Sequence, residues 1–242
     1  MNYAIILSGG RGTRLGLDMP KQYYEVNKRP IIRYVIETIE QSDKIDGFVI
    51  VIADEWKDYV RELISVSNKF IGFALPGENR QLSIYSGLCY LKNILMEKKA
   101  QEEIDLNWDD VVVLIQDAAR PNTSINLIEQ CLDLKEDEDG AMPVLPMKDT
   151  VYLSEDGMRV SALLERRQVF AGQAPESFRF GKYLAANEAL LPGEILKING
   201  STEPAILSGM QIKMIPGDEK NYKITTEIDL KKFIDERNIV KI

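Results

Sequence analysis

Short apolar runs alternate with stretches whose apolar residues recur every three or four positions. Residues 4–7 (AIIL) read as a buried strand that stops at Ser8-Gly9-Gly10. Pro30 is placed at the first helical position, ahead of Ile31, Ile32, Val35, Ile36 and Ile39 at helical spacing. Buried strands are predicted over 48–53 (FVIVIA), 70–74, 111–115 (VVVLI) and 141–145. Helices are predicted over 55–65, 79–95 and 124–134, the last with Ser124 as its cap. Residues 98–110 are mostly polar and read as a surface connection. After residue 148 the rhythm changes. Residues 149–153, the turn Ser154-Glu155-Asp156-Gly157 and residues 158–163 predict a hairpin, with no helical pattern around it. A helix over 183–190, a turn at Leu191-Pro192-Gly193, a short helix over 203–207, a strand over 211–215 and a helix from Glu227 complete the chain.

This alternation predicts an α/β fold: a Rossmann-like, mainly parallel sheet with helices on both faces. No repeat, low-complexity tract or linker interrupts it, so residues 1–242 are expected to form one domain carrying a projecting β-arm at about 148–172. Ligands of such sheets bind at the carboxyl ends of the strands. Residues 8–21 and 116–122 fall there.

Composition narrows the chemistry. The chain of 242 residues holds 30 Lys and Arg, 38 Asp and Glu and no His, for a net charge of −8. Without His there is no Ser-His-Asp triad, no Cys-His dyad and no HExxH zinc site. Carboxylates, Lys, Arg, backbone amides and a hard metal on oxygen ligands remain, a set suited to phosphoryl or nucleotidyl transfer. The acidic balance argues against nucleic acid as a partner. No apolar run approaches membrane-spanning length, and the N-terminus lacks signal-peptide features. A cytoplasmic protein that begins with its first strand is expected. Cys89 and Cys131 are isolated and read as small core residues.

The loop after the first strand, LSGGRGTRLGLDMPKQ, holds Gly9, Gly10 and Gly12 with Arg11, Arg14 and Lys21. Glycines there permit positive φ and close approach of backbone amides to an anion. Neither the GxGxxG fingerprint nor a Walker A loop is present. Read locally, the loop is equally a tight turn, and the clustered cations tip it toward phosphate.

Several segments resemble one family in order along nearly the whole chain. They are Ser8-Gly9-Gly10-Arg11-Gly12-Thr13-Arg14 with Pro20-Lys21-Gln22, then Gly77-Glu78-Asn79-Arg80 with Ser83, then Gln116-Asp117-Ala118-Ala119-Arg120-Pro121. Asp149-Thr150, Arg166, Gly172-Gln173-Ala174-Pro175-Glu176-Ser177-Phe178 and Asn221-Tyr222-Lys223-Ile224-Thr225 with Asp229-Leu230 follow. The set resembles the cytidylyltransferases for methylerythritol 4-phosphate and ribitol 5-phosphate. The resemblance implies a nucleotidyltransferase, GT-A-like version of the fold. It also implies attack of a polyol-phosphate oxygen on the α-phosphorus of CTP, with release of pyrophosphate and a need for Mg²⁺. The product would serve isoprenoid precursors or a surface polymer. A non-catalytic CTP-binding sensor of the same fold, and a UTP- or GTP-dependent transferase, are the rival readings.

By the same resemblance Arg14, Lys21 and Lys223 are catalytic. Ser8, Gly9, Gly10, Arg11, Gly12, Gly77, Arg80, Ser83, Asp117 and Ala118 hold the nucleotide, and Asp117 holds the metal. Arg120, Thr150 and Arg166 bind the acceptor, the last two from an arm that joins a homodimer. Local readings stand beside these: Asp117 as a strand-end turn residue, Ser83 as a helix-surface serine, Lys21 as a solvated lysine, Arg166-Arg167 as an exposed basic pair. Three departures fall on the acceptor side. Gln116 stands where the family has His, and Ala174 where it has Thr. For a Thr-Asp pair, the preferred alignment is the ungapped one, which keeps Gly209 in register and sets Asn199-Gly200 there; a gapped one sets Thr202-Glu203. The acceptor side tilts slightly toward an alditol phosphate.

Overall fold

A computed structural model describes residues 1–10, 19–102 and 106–239. The strands are β1 (Asn2–Leu7), β2 (Glu25–Val26), β3 (Arg29–Pro30), β4 (Gly47–Val51), β5 (Phe70–Ala74), β6 (Val112–Asp117), β7 (Gly140–Pro146), β8 (Tyr152–Leu153), β9 (Ala162–Leu163), β10 (Phe170–Gly172), β11 (Glu176–Arg179) and β12 (Ile212–Pro216). The helices are α1 (Ile31–Gln41), α2 (Lys57–Leu63), α3 (Arg80–Glu102), α4 (Ile125–Leu132), α5 (Phe180–Glu188), α6 (Glu203–Leu207) and α7 (Glu227–Ile239).

One eight-stranded sheet organises the molecule. β1 pairs in parallel with β4 and β6, β4 with β5, and β7 with β12. β11 lies antiparallel between β6 and β7, and β10 continues along the same edge of β7. The continuous apolar strands are explained by burial on both faces. In β1, Ala4 and Ile6 enter the core under α1, α2 and α4, while Tyr3 and Ile5 enter the core under α3 and α5. β4 and β6 alternate in the same way. Helix α3 buries Ile84, Leu88, Leu91 and Leu95, one stripe at helical spacing.

The α/β expectation therefore holds, and four details change. Pro30 has ψ 147° and pairs with Glu25, so it precedes α1 rather than entering it. The polar stretch from Lys98 continues α3 to Glu102, because its residues favour helix even though residues 98–101 are exposed. β10 and β11 were not visible in the hydrophobic pattern. Finally, β8 and β9 pair only with each other in a small exposed sheet, whereas Phe170–Gly172, at the end of the expected arm, belongs to the central sheet. No helix among the described residues is long and apolar enough to cross a membrane.

Candidate active site

The chain reverses direction around β1, with β4 and β5 on one side and β6 on the other, and crevices of open α/β sheets form at such points. Leu7 and Asp117, the last residues of β1 and β6, are register partners, and Ala118 N–H donates to the Leu7 carbonyl at 3.1 Å. A cleft of about 390 Å³ opens above them. Gly9, Gly10, Lys21, Gly77, Arg80, Ser83, Asp117, Ala118 and Lys223 line it, so the structure brings together the greater part of the expected nucleotide side.

Residues 8–10, where the glycine loop begins, are held by Gln22 and Tyr23. Gln22 is buried, and its Nε2 donates to the carbonyls of Ser8 and Gly10 at 2.8 and 2.9 Å. The Ser8 hydroxyl lies 2.9 Å from that of Tyr23. These bonds occupy two backbone acceptors of residues 8–10. The glycines act through space rather than through φ: among the described residues positive-φ glycines are Gly157 and Gly209. A Cβ on Gly9 would come within 2.5 Å of Pro76 Cβ, and one on Gly77 within 2.3 Å of Leu82 Cβ. The expectation of left-handed backbone at Gly9 and Gly10 is thus corrected to close packing at Gly9. Ser83 closes the opposite wall, accepting from Gly77 N–H at 3.0 Å and donating to the Asn79 carbonyl at 2.8 Å. Asn79, unassigned from sequence, accepts from Leu82 N–H at 2.7 Å and so caps α3.

Asp117 is the electrostatic centre. It is buried, with Oδ1 3.2 Å from Arg80 Nη2 and Oδ2 3.3 Å from Arg120 Nε and 3.1 Å from Lys223 Nζ. Burial alone would raise its pKa. Arg80, Lys223 and Arg120 outweigh that and hold the carboxyl well below the usual carboxylate range. Among the described residues no three His, Cys, Asp or Glu side chains gather as a metal cage. One ionised carboxylate at the rim of a cationic cleft nevertheless fits Mg²⁺, which takes one or two carboxylates and completes its shell with phosphate and water.

Behind Arg80 lies Glu176, whose carboxyl is pushed up to about 7 by burial, against the pull of Arg80. Thr202 Oγ1 donates to it at 3.2 Å, and the Ser201 hydroxyl also bonds to it. Against the preference for the ungapped alignment, it is Thr202, from the gapped one, that meets this carboxyl. Asn199 and Gly200 are exposed, their amides bound by Glu203 Oε2 at 2.8 and 3.4 Å, and the inward-facing side chain is that of Thr202. A buried glutamate beside a proline carries no periodic signal, which is why sequence reasoning assigned it nothing.

The remaining expected residues lie elsewhere. Ser8 is buried beneath the loop, and Arg120 is tucked under the cleft on Asp117. Thr150 and Arg166 do not line the cleft. They are exposed at the base of the arm, where Arg166 Nη1 donates to the Lys148 carbonyl at 2.9 Å. Arg11, Gly12 and Arg14 lie outside the described residues.

An open sheet with a glycine loop, a buried carboxylate and converging cations at its switch point defines an α/β nucleotidyltransferase. A crystal structure of 4-diphosphocytidyl-2C-methyl-D-erythritol synthase from Anaerococcus prevotii shares the fold, with TM-score 0.79, 22% identity and 98% of both chains covered. The ribitol-5-phosphate cytidylyltransferase of Streptococcus agalactiae is 32% identical over 240 residues, covering 96% of this chain and 93% of that protein. The 2-C-methyl-D-erythritol 4-phosphate cytidylyltransferase of Geobacter metallireducens is 30% identical over 234 residues, covering 94% of each. The chain belongs to the IspD, or 2-C-methyl-D-erythritol 4-phosphate cytidylyltransferase, family, which matches residues 2–234.

Proposed function

We propose that this protein transfers CMP from CTP to a polyol phosphate, releasing pyrophosphate, and that the acceptor is ribitol 5-phosphate or a related alditol phosphate. The observation that carries the reaction is the convergence of Lys21, Arg80 and Lys223 on one cleft around Asp117, which Arg120 braces from beneath. Nucleophile and electrophile are both anionic, so the protein must supply positive charge and alignment rather than a proton acceptor. The packed Gly9 turn and Gly10 present backbone to the triphosphate. Lys21 and Arg14 neutralise charge that builds on the α-phosphate and leaving group. Gly77 and Ser83 face the base, and Ala118 leaves room for it. Lys223 at the cleft and Arg120 beneath it neutralise the acceptor phosphate. Asp117 is the residue that would hold Mg²⁺, which when bound supplies further neutralisation between phosphate oxygens.

The alditol reading is supported by relatives at 32% identity that carry the ribitol name, and by the altered residues Gln116 and Ala174. We place Thr150 and Arg166 at the acceptor site of a second copy of the chain. The arm supports this, since Tyr152, Leu153, Met158, Val160 and Leu163 are all exposed. The test is pyrophosphate release with CTP, UTP and GTP against ribitol 5-phosphate and methylerythritol 4-phosphate. Preference for CTP with the alditol is expected. Turnover with methylerythritol 4-phosphate alone would reassign the acceptor, and tight CTP binding without turnover on any acceptor would make the protein a sensor.

A further inference from the structure

Two of the acceptor-side departures, Gln116 and Ala174, lie far apart in sequence yet join one buried chain of hydrogen bonds. Gln116, fully buried, donates from Nε2 to the Asp117 carbonyl at 3.0 Å and to Thr123 Oγ1 at 3.0 Å. The Thr123 hydroxyl lies 2.9 Å from both Asn221 Oδ1 and the Arg120 carbonyl, so its single proton serves these acceptors while its oxygen receives Gln116. Asn221, also fully buried, donates from Nδ2 to the Ala174 carbonyl at 2.7 Å. Its own carbonyl accepts Arg120 Nη1 at 2.7 Å. Two residues on stands Lys223, and the Ile224 amide ties that segment to the Ala119 carbonyl at 2.9 Å.

None of Gln116, Thr123 or Asn221 lines the cleft. Each acts on a residue that does, or on one that braces it. Arg120 is oriented by the Asn221 carbonyl, Lys223 follows from the same turn, and the turn from Asp117 to Thr123 is fixed from beneath by Gln116. The nucleotide wall depends on other contacts, those of Gln22, Asn79 and Ser83. We infer that the Gln116–Thr123–Asn221 chain is a positioning element that sets Arg120 and Lys223 for the acceptor phosphate and leaves CTP binding to the opposite wall. The inference rests on the cytidylyl-transfer reading above.

Replacing Thr123 by Val keeps the shape but deprives Gln116 Nε2 and Asn221 Oδ1 of a partner, and a buried group without its partner shifts or pulls in water. In steady-state assays with ribitol 5-phosphate, Thr123→Val is expected to raise the acceptor KM and lower kcat, each about tenfold, with the CTP KM within about twofold of wild type. Thr123→Ser, which returns the hydroxyl, is expected to rescue both constants. Gln116→Met provides a second arm. It removes the donor to Thr123 together with Oε1, a buried acceptor without a partner, so Tm stays near wild type while the acceptor KM rises about threefold. A Thr123→Val enzyme with wild-type acceptor KM, or one whose loss Ser fails to rescue, overturns the inference while the cytidylyl reading stands. A wild-type protein inert with CTP and every polyol phosphate overturns the reading and the inference with it.

Discussion

Asp117→Asn is the most direct perturbation of the site. The carboxylate meets three cations at 3.1–3.3 Å, so the cluster carries a charge of +2, and the amide makes it +3. At an effective dielectric of about 20, unit charges this close attract by roughly 5 kcal/mol before desolvation is set against them. Arg80 and Lys223 are each about a third open to water, which screens two of the three contacts. A net loss of about 2 kcal/mol is expected, or about 4–8 °C in Tm for a chain of this size. On the proposed role of Asp117 as the residue that would hold Mg²⁺, turnover should fall by at least about a thousandfold. Binding of CTP in the presence of EDTA should hold or tighten, because the cleft becomes more positive. The pH dependence carries a sign. Asp117 has a depressed pKa in the fold, so its stabilisation is present above the unfolded value of about 4 and disappears as pH falls below it. The stability gap between wild type and Asp117→Asn should therefore narrow in acid. Pyrophosphate release, calorimetric titration of CTP and thermal melts from pH 7 to pH 3 read all of this. Turnover within tenfold of wild type, or metal-free CTP affinity lowered more than tenfold, would refute the reasoning.

Lys21→Ala and Arg14→Ala should each lower kcat by about a hundredfold or more in the same assay, as loss of a transition-state charge contact does, and near-normal rates would remove them from the mechanism. Arg166→Ala should chiefly raise the acceptor KM, and an effect confined to CTP affinity would misplace it. Deleting residues 150–163 should yield monomers in sedimentation, since it removes most of the arm's exposed apolar side chains. Glu176 has a folded pKa of about 7 against an unfolded value of about 4.3, so stability should fall by on the order of 3 kcal/mol as pH rises from 5 to 8. Urea unfolding should show that slope in wild type and not in Glu176→Gln.

What was legible in the sequence follows from how each element is buried. β1, β4 and β6 announce themselves because both faces of each strand pack on helices. β11, in the middle of the same sheet, does not. Two of its four residues, Glu176 and Ser177, are buried polar groups, satisfied by Ser201, Thr202 and the Cys131 carbonyl. Such partners are set by tertiary contact, and no local period encodes them. The end of α3 was obscured for the opposite reason: residues 98–101 favour helix intrinsically but are exposed. Within the site, the glycine loop and Asp117 were readable as motif residues at strand ends. Gln22, Thr123 and Asn221 were not assignable, because an amide or hydroxyl declares its role only through partners brought near by the fold.

The same distinction explains how a chain of net charge −8 receives two anions. Net charge sets the field at long range, and salt screens that field beyond about 10 Å. At the cleft the nearest positive charges are Lys21, Arg80 and Lys223, with Arg120 just beneath on Asp117. Like charges brought this close would repel one another if nothing lay between them. Asp117 prevents that by sitting among three of them, and its depressed pKa shows that the attraction exceeds the cost of burying it. The carboxylate thus keeps the cations assembled before any substrate arrives. On the proposed reading, substrate phosphates would then meet groups already in place, and little of their binding energy would be spent on gathering the site.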